Sequence, residues 1–123
     1  MTTMLVSVSS DLRAEIVVRA ARQQAVRYGV ESEHPEPEQA AAIAAIDADN
    51  TRWLACLIAV HGWPGCRLVG PDGAHAAFML ARRAPAPYRA GWLVKARSAA
   101  RRGDVSERDL DEMADELATG REQ

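Results

Sequence analysis

This sequence is short of the residues that mark specialised proteins. Its two cysteines, Cys56 and Cys66, are too few and too widely spaced for a disulfide framework or a paired-thiolate zinc site. With one Phe, two Tyr and three Trp, it lacks the aromatic weight of a sheet protein, and its alanine-dominated apolar content favours closely packed helices. No apolar run approaches the roughly 20 residues of a membrane span. Residues 1–10 have neither the basic start nor the apolar length of a secretory signal, so a cytoplasmic location and no membrane partner are expected. Charge is near balance, 15 Lys plus Arg against 17 Asp plus Glu for a net of −2, which gives no field to gather nucleic acid. Nor is there a P-loop, a dinucleotide-binding glycine pattern, an HExxH, a nucleophile elbow or a paired CxxC. No metal and no cofactor are expected.

What remains is globular material, 48% hydrophobic and 26% charged over 123 residues, enough for one domain with a real core. Residues 1–123 read as a single all-α domain, a compact antiparallel bundle of five to six helices. After a weak alternation over residues 4–8, Ser10 and Asp11 open a first helix, 11–28, with Leu12, Ile16, Ala20 and Val26 near helical spacing and Gly29 as its stop. An acidic, proline-containing connector spans 29–37. The core segment, 38–120, begins with an alanine-rich helix to about residue 48, where Asp47, Asp49 and Asn50 read as capping residues between two helices. Trp53, Leu54, Leu57, Ile58 and Val60 continue as an apolar helix to Gly62, and Cys56 falls on what reads as its buried face. Gly62-Trp63-Pro64-Gly65 then forces a corner carrying a tryptophan. A turn at Gly70-Pro71-Asp72-Gly73 leads into a buried central helix over 74–84. Pro85 and Pro87 break it. Further helices follow over 88–102 and from Ser106 to Gly120, with Trp92, Leu93 and Ala96, then Leu110, Met113 and Leu117, as their buried faces. Residues 121–123 read as a loose tail.

The motifs are weak singly and specific in sequence. Residues 46–84 read IDADNTRWLACLIAVHGWPGCRLVGPDGAHAAFMLARRA. This stretch resembles the bacterial family catalogued as domain of unknown function 6624, whose members carry an Asp-x-x-Asn-Thr helix, a His-Gly-Trp-Pro corner, a Val-Gly turn and an Ala-Ala-Trp-type helix in that order. Members follow the buried helix with Gln-His-Ala-Asp, where this chain has Arg82, Arg83, Ala84 and Pro85, and finish on Tyr-Gly-Thr-Gln, where it has Gly120-Arg121-Glu122-Gln123. The resemblance implies a divergent, C-terminally truncated member; it implies a fold and a pocket location, and no reaction.

Seven side chains carry whatever chemistry is present. His61, at a helix C-terminus, either caps the carbonyls or transfers a proton. His75, near a helix start, is expected to be neutral and available as a base. Asp47 and Asn50, three apart, either cap helix ends or hold a polar ligand. Trp63 is a wedge or a stacking platform. Arg82 and Arg83 point about 100 degrees apart on a helix, so one can enter a cleft and bind a carboxylate or phosphate. The expectation is a metal-free enzyme or ligand-binding domain for a polar or anionic small molecule or peptide, possible in a specialised biosynthetic pathway, with histidine acid–base chemistry in an interhelical cleft. The alternative is a noncatalytic interaction module, a pathway accessory or immunity-like protein, with a homodimer or a pathway protein as partner.

Overall fold

A computed structural model of the chain describes residues 8–30 and 34–120; all but the last residue of the alternation read over residues 4–8, part of the acidic connector and the terminal tail lie outside them. Five helices and no strand are found among the described residues: α1 (Ser10–Tyr28), α2 (Pro37–His61), α3 (Cys66–Ala81), α4 (Ala86–Arg101) and α5 (Glu107–Ala118).

Their ends follow local chemistry. Ser9 caps α1 by accepting the Leu12 N–H, and Ser106 caps α5 by accepting the Asp109 N–H. Pro37 starts α2 behind a capping box formed by Glu36 and Gln39. Proline at a first helical position has no N–H to leave unsatisfied, so the connector prolines set the start of a helix here.

Two expectations need correction. Asp47, Asp49 and Asn50 do not separate two helices, because α2 runs through them for 25 residues. Their polar groups are met from outside by a stripe on α1, Arg19, Gln23 and Arg27, spaced four apart so that all three face α2. Arg19 bonds Asp49 at 2.8 Å and Asn50 at 3.0 Å and stands 4.9 Å over the Trp53 ring. The Asn50 amide also reaches Gln23, and Arg27 pairs with Asp47. The second correction is Cys56, which is exposed because neighbouring helices cover only part of α2.

Helix α3 is central and touches every other helix. It begins earlier than the turn signal suggests: one turn forms over residues 66–69, the backbone breaks at Gly70 (φ 75°, ψ 168°), and the helix resumes through Pro71. The break needs a glycine, since that φ strains any residue with a Cβ. Arg13 braces it through a two-pronged bond to Asp72, 2.9 and 2.6 Å. Gly73 lets α3 close on itself and on α1, for a Cβ there would meet Val69 Cβ at 2.6 Å and Ile16 Cγ2 at 3.4 Å.

The contacts also give direction. Arg13 meets Asp72 and Gln23 meets the Met79 carbonyl, so α1 and α3 run the same way. His75 meets Asp109 and Arg82 meets Glu116, seven residues on in both helices, so α3 and α5 are parallel as well. The core between them gathers Ile16, Leu54, Val69, Leu80, Trp92 and Met113.

Candidate functional site

The polar residues singled out in the sequence divide among three places and the α1–α2 seam. Along α2, the 14 residues from Asp47 to His61 correspond to about 21 Å of helix axis, so those two cannot grip one small molecule.

A hollow of about 430 Å³ is an open cleft lined by Ala44, Asp47, Ala48, Thr51, Arg52, Arg83, Pro85 and Tyr88. It exists because α2 and α4 do not pack on each other among the described residues, and the turn from α3 into α4 bridges the gap. Asp47 and Arg83 both stand in this cleft; Asn50, His61 and His75, expected with them, do not line it. Thr51, Arg52 and Tyr88 were missed; nothing in their spacing marks them, and they are assembled by the angle at Pro85.

The electrostatics of the cleft floor are set by crowded guanidiniums. Burial pushes the Asp47 carboxyl above its ordinary value, and this outweighs the opposing pull of Arg27 and the weaker one of Arg83. Burial also lowers Arg83, helped by repulsion from Arg27 and Arg82 and resisted by Asp47 and Glu116. Arg82 is held by Glu116 through bonds of 3.0 and 2.6 Å. Among the described residues the cluster brings together three guanidiniums, Arg27, Arg82 and Arg83, and two carboxylates, Asp47 and Glu116. Such a guanidinium in a partly desolvated place favours an anion more strongly than one in water.

Asn50 is only 3% exposed and its amide is engaged on both sides, by Arg19 at its oxygen and Gln23 at its nitrogen. It belongs to the α1–α2 seam.

The corner after α2 holds a second hollow, about 180 Å³, lined by His61, Trp63, Gly65, Arg67, Leu68, Arg102 and Asp104. Trp63 is buried with its ring 4.8 Å from that of Phe78, so it acts as the wedge that turns the chain. Gly65 precedes α3 and has no side chain to cap it. Asp104 supplies the cap from elsewhere: its Oδ1 accepts the Arg67 N–H at 2.9 Å, and its carbonyl accepts the Cys66 N–H at 2.7 Å. Burial and, after it, the Asp104 carboxylate push the Cys66 thiol up, in the direction that disfavours the thiolate.

His75 is the third place. Its Nδ1 lies 3.0 Å from Asp109 Oδ2, with the histidine side chain 59% exposed and Asp109 12%. His75 lines neither hollow, so His61, His75 and Arg83 do not converge on one reacting atom. No group of three or more His, Cys, Asp or Glu able to hold a metal occurs among the described residues, and none of their helices is long and apolar enough to cross a membrane.

No curated protein and no solved structure matches the chain. A family model does match, over residues 10–119, a span that takes in all five helices and both hollows. The chain thus belongs to DUF6624, a family of unknown function.

Proposed function

We propose that the protein is a ligand-binding domain whose α2/α4 cleft takes a small amphiphilic anion, a molecule with a carboxylate head and an apolar body. The observation that carries this reading is the half-buried Arg83 guanidinium, crowded by Arg27 and Arg82, on the wall of a cleft that also holds Asp47, Thr51 and Arg52 and is otherwise lined by Ala44, Ala48, Pro85 and Tyr88. The head bonds Arg83, with Arg52 at the rim, and the body lies along Ala44, Ala48, Pro85 and Tyr88. A volume of about 430 Å³ falls in the range of small-molecule sites. Because Asp47 is shifted towards its protonated form, it opposes an incoming carboxylate less than an ordinary aspartate would, and when protonated it donates a hydrogen bond. Neither histidine lines the cleft, so this reading assigns binding and leaves out histidine acid–base chemistry there.

The test is a chemical-shift titration of the ¹⁵N-labelled chain with benzoate, hexanoate and 4-phenylbutyrate against their primary amides. The expected result is saturable movement of the Ala48, Arg83 and Tyr88 amides by the carboxylates and little by the amides. Equal movement by both members of each pair removes the anion; no movement removes the site.

A second reading, a noncatalytic interaction module, is favoured by the apolar groove of Leu12, Trp53, Cys56, Leu57 and Val60 on α1 and α2, where Cys56 and Val60 are exposed. A monomer by light scattering at high concentration, with no partner retained from native extract, counts against it.

A further inference from the structure

The corner hollow is separate from the cleft, and three of its features have no use in the fold. The indole Nε1–H of Trp63 is buried without an acceptor, on a residue 4% exposed. A buried donor of this kind is uncommon, and it calls for an acceptor the chain does not supply. The His61 imidazole and the Arg67 guanidinium, both exposed, make no hydrogen bond or ion pair among the described residues. All three residues line the same hollow.

The charge there is positive. Asp104 is the one carboxylate in the lining, and its Oδ1 is already committed to the Arg67 N–H. Against it stand the Arg67 and Arg102 guanidiniums, with the His61 imidazole beside them. Arg102 uses one nitrogen on Ser98 of its own helix, which leaves the rest of its fork for a ligand. The first-turn N–H groups of α3 contribute no bonds, since those of Cys66 and Arg67 go to Asp104 and those of Leu68 and Val69 to the Gly65 carbonyl. The site therefore rests on side chains.

Size and donor geometry select the class of anion. A space of about 180 Å³ is small for a cofactor and ample for a tetrahedral oxyanion. Donors of three kinds, an indole N–H, planar guanidiniums and an imidazole N–H, belong to residues from different elements around this hollow, and an anion with oxygens in several directions suits such a set better than one with a single acceptor edge. A planar carboxylate has two oxygens and a halide has no directional acceptors. We propose that the Trp63 corner is a second anion site that takes a phosphate group, either the free ion or the end of a phosphomonoester, on Arg67, His61 and the Trp63 indole N–H.

The experiment follows the indole N–H signals of the full ¹⁵N-labelled chain, with Trp63 assigned through Trp63→Phe. Potassium phosphate and phenyl phosphate are titrated at ionic strength matched with potassium chloride. The expected result is a saturable downfield movement of the Trp63 indole proton with either phosphate and none with chloride. Tighter binding of phenyl phosphate identifies a monoester end, and tighter binding of inorganic phosphate the free ion. Arg67→Gln, an exposed substitution, weakens the effect at least tenfold, and His61→Gln weakens it less. Arg83→Gln leaves it unchanged, so failure of the cleft reading and failure of this one are distinguishable. A Trp63 signal that stays still, follows chloride equally or ignores Arg67→Gln overturns the proposal.

Discussion

Replacing Gly65 with alanine tests how the Trp63 corner is joined to the rest of the fold. A Cβ at this position would stand 2.3 Å from Asp104 Oδ2, 2.4 Å from its Cγ and 2.7 Å from its carbonyl oxygen. The last contact is backbone, so rotation of the side chain cannot relieve it, and the segment carrying Asp104 must move. That movement breaks the bond from the Arg67 N–H to the carboxylate and the one from the Cys66 N–H to the carbonyl. A hydrogen bond to a charged group contributes about 1.5–3 kcal/mol and a neutral one about 0.5–1.5 kcal/mol, giving an expected loss of about 2–4 kcal/mol. For a chain of this size the loss lowers Tm by roughly 8–16 °C. The assay is thermal unfolding followed by circular dichroism at 222 nm, with urea unfolding as a second measure. Gly91→Ala is the control: nothing lies within 4 Å of its Cβ, it sits within α4, and it should stabilise by about 0.5–1 kcal/mol through helix propensity. A Gly65→Ala protein melting within about 2 °C of the parent would refute the borrowed cap.

Two further predictions concern acid. Because burial raises the Asp47 carboxyl, the folded state holds its proton more tightly than the unfolded one. Its contribution is therefore greatest below the ordinary aspartate value and declines as pH rises through the raised one. The stability of the parent relative to Asp47→Asn should fall from acid to neutral pH in urea unfolding; a rise would mean the Arg27 attraction outweighs burial. Asp72 and Asp49 behave oppositely, held low chiefly by hydrogen bonds from Arg13 and Arg19. Their stabilisation is present above the ordinary aspartate value and lost as pH falls through the depressed ones. A ¹³C carboxyl titration should show Asp72 ionising below an ordinary exposed aspartate and returning upward in Arg13→Gln; an unchanged midpoint contradicts the pairing.

Local chemistry was legible in the sequence, and distant partners were not. Pro37, Gly62 and Ser106 announce helix ends through sterics and capping that involve only neighbours, whereas the cap expected at Ser10 falls one residue earlier, on Ser9, and helical spacing marks Ile16, Ala20, Trp92, Leu93, Ala96 and Met113 as buried. Asp47 and Asn50 misled because Asp and Asn are common caps, whereas their partners here are Arg27, Arg19 and Gln23 on another helix. The same reason hides the role of Gly65, whose corner is completed by Asp104, 37 positions beyond Arg67. Cys56 read as core because periodicity reports an apolar stripe without saying whether a neighbour covers all of it. Of the seven candidate side chains, Asp47 and Arg83 come together in the cleft and His61 and Trp63 at the corner, while Asn50, His75 and Arg82 are engaged by Gln23 and Arg19, Asp109 and Glu116.

The cleft reading depends most on Arg83 and is tested most directly by the Kd of 4-phenylbutyrate for the parent and for Arg83→Gln, measured by calorimetry under identical salt. Loss of a charge-assisted bond of about 1.5–3 kcal/mol predicts binding weaker by roughly 10- to 100-fold in the variant. Equal constants for the two proteins would contradict it.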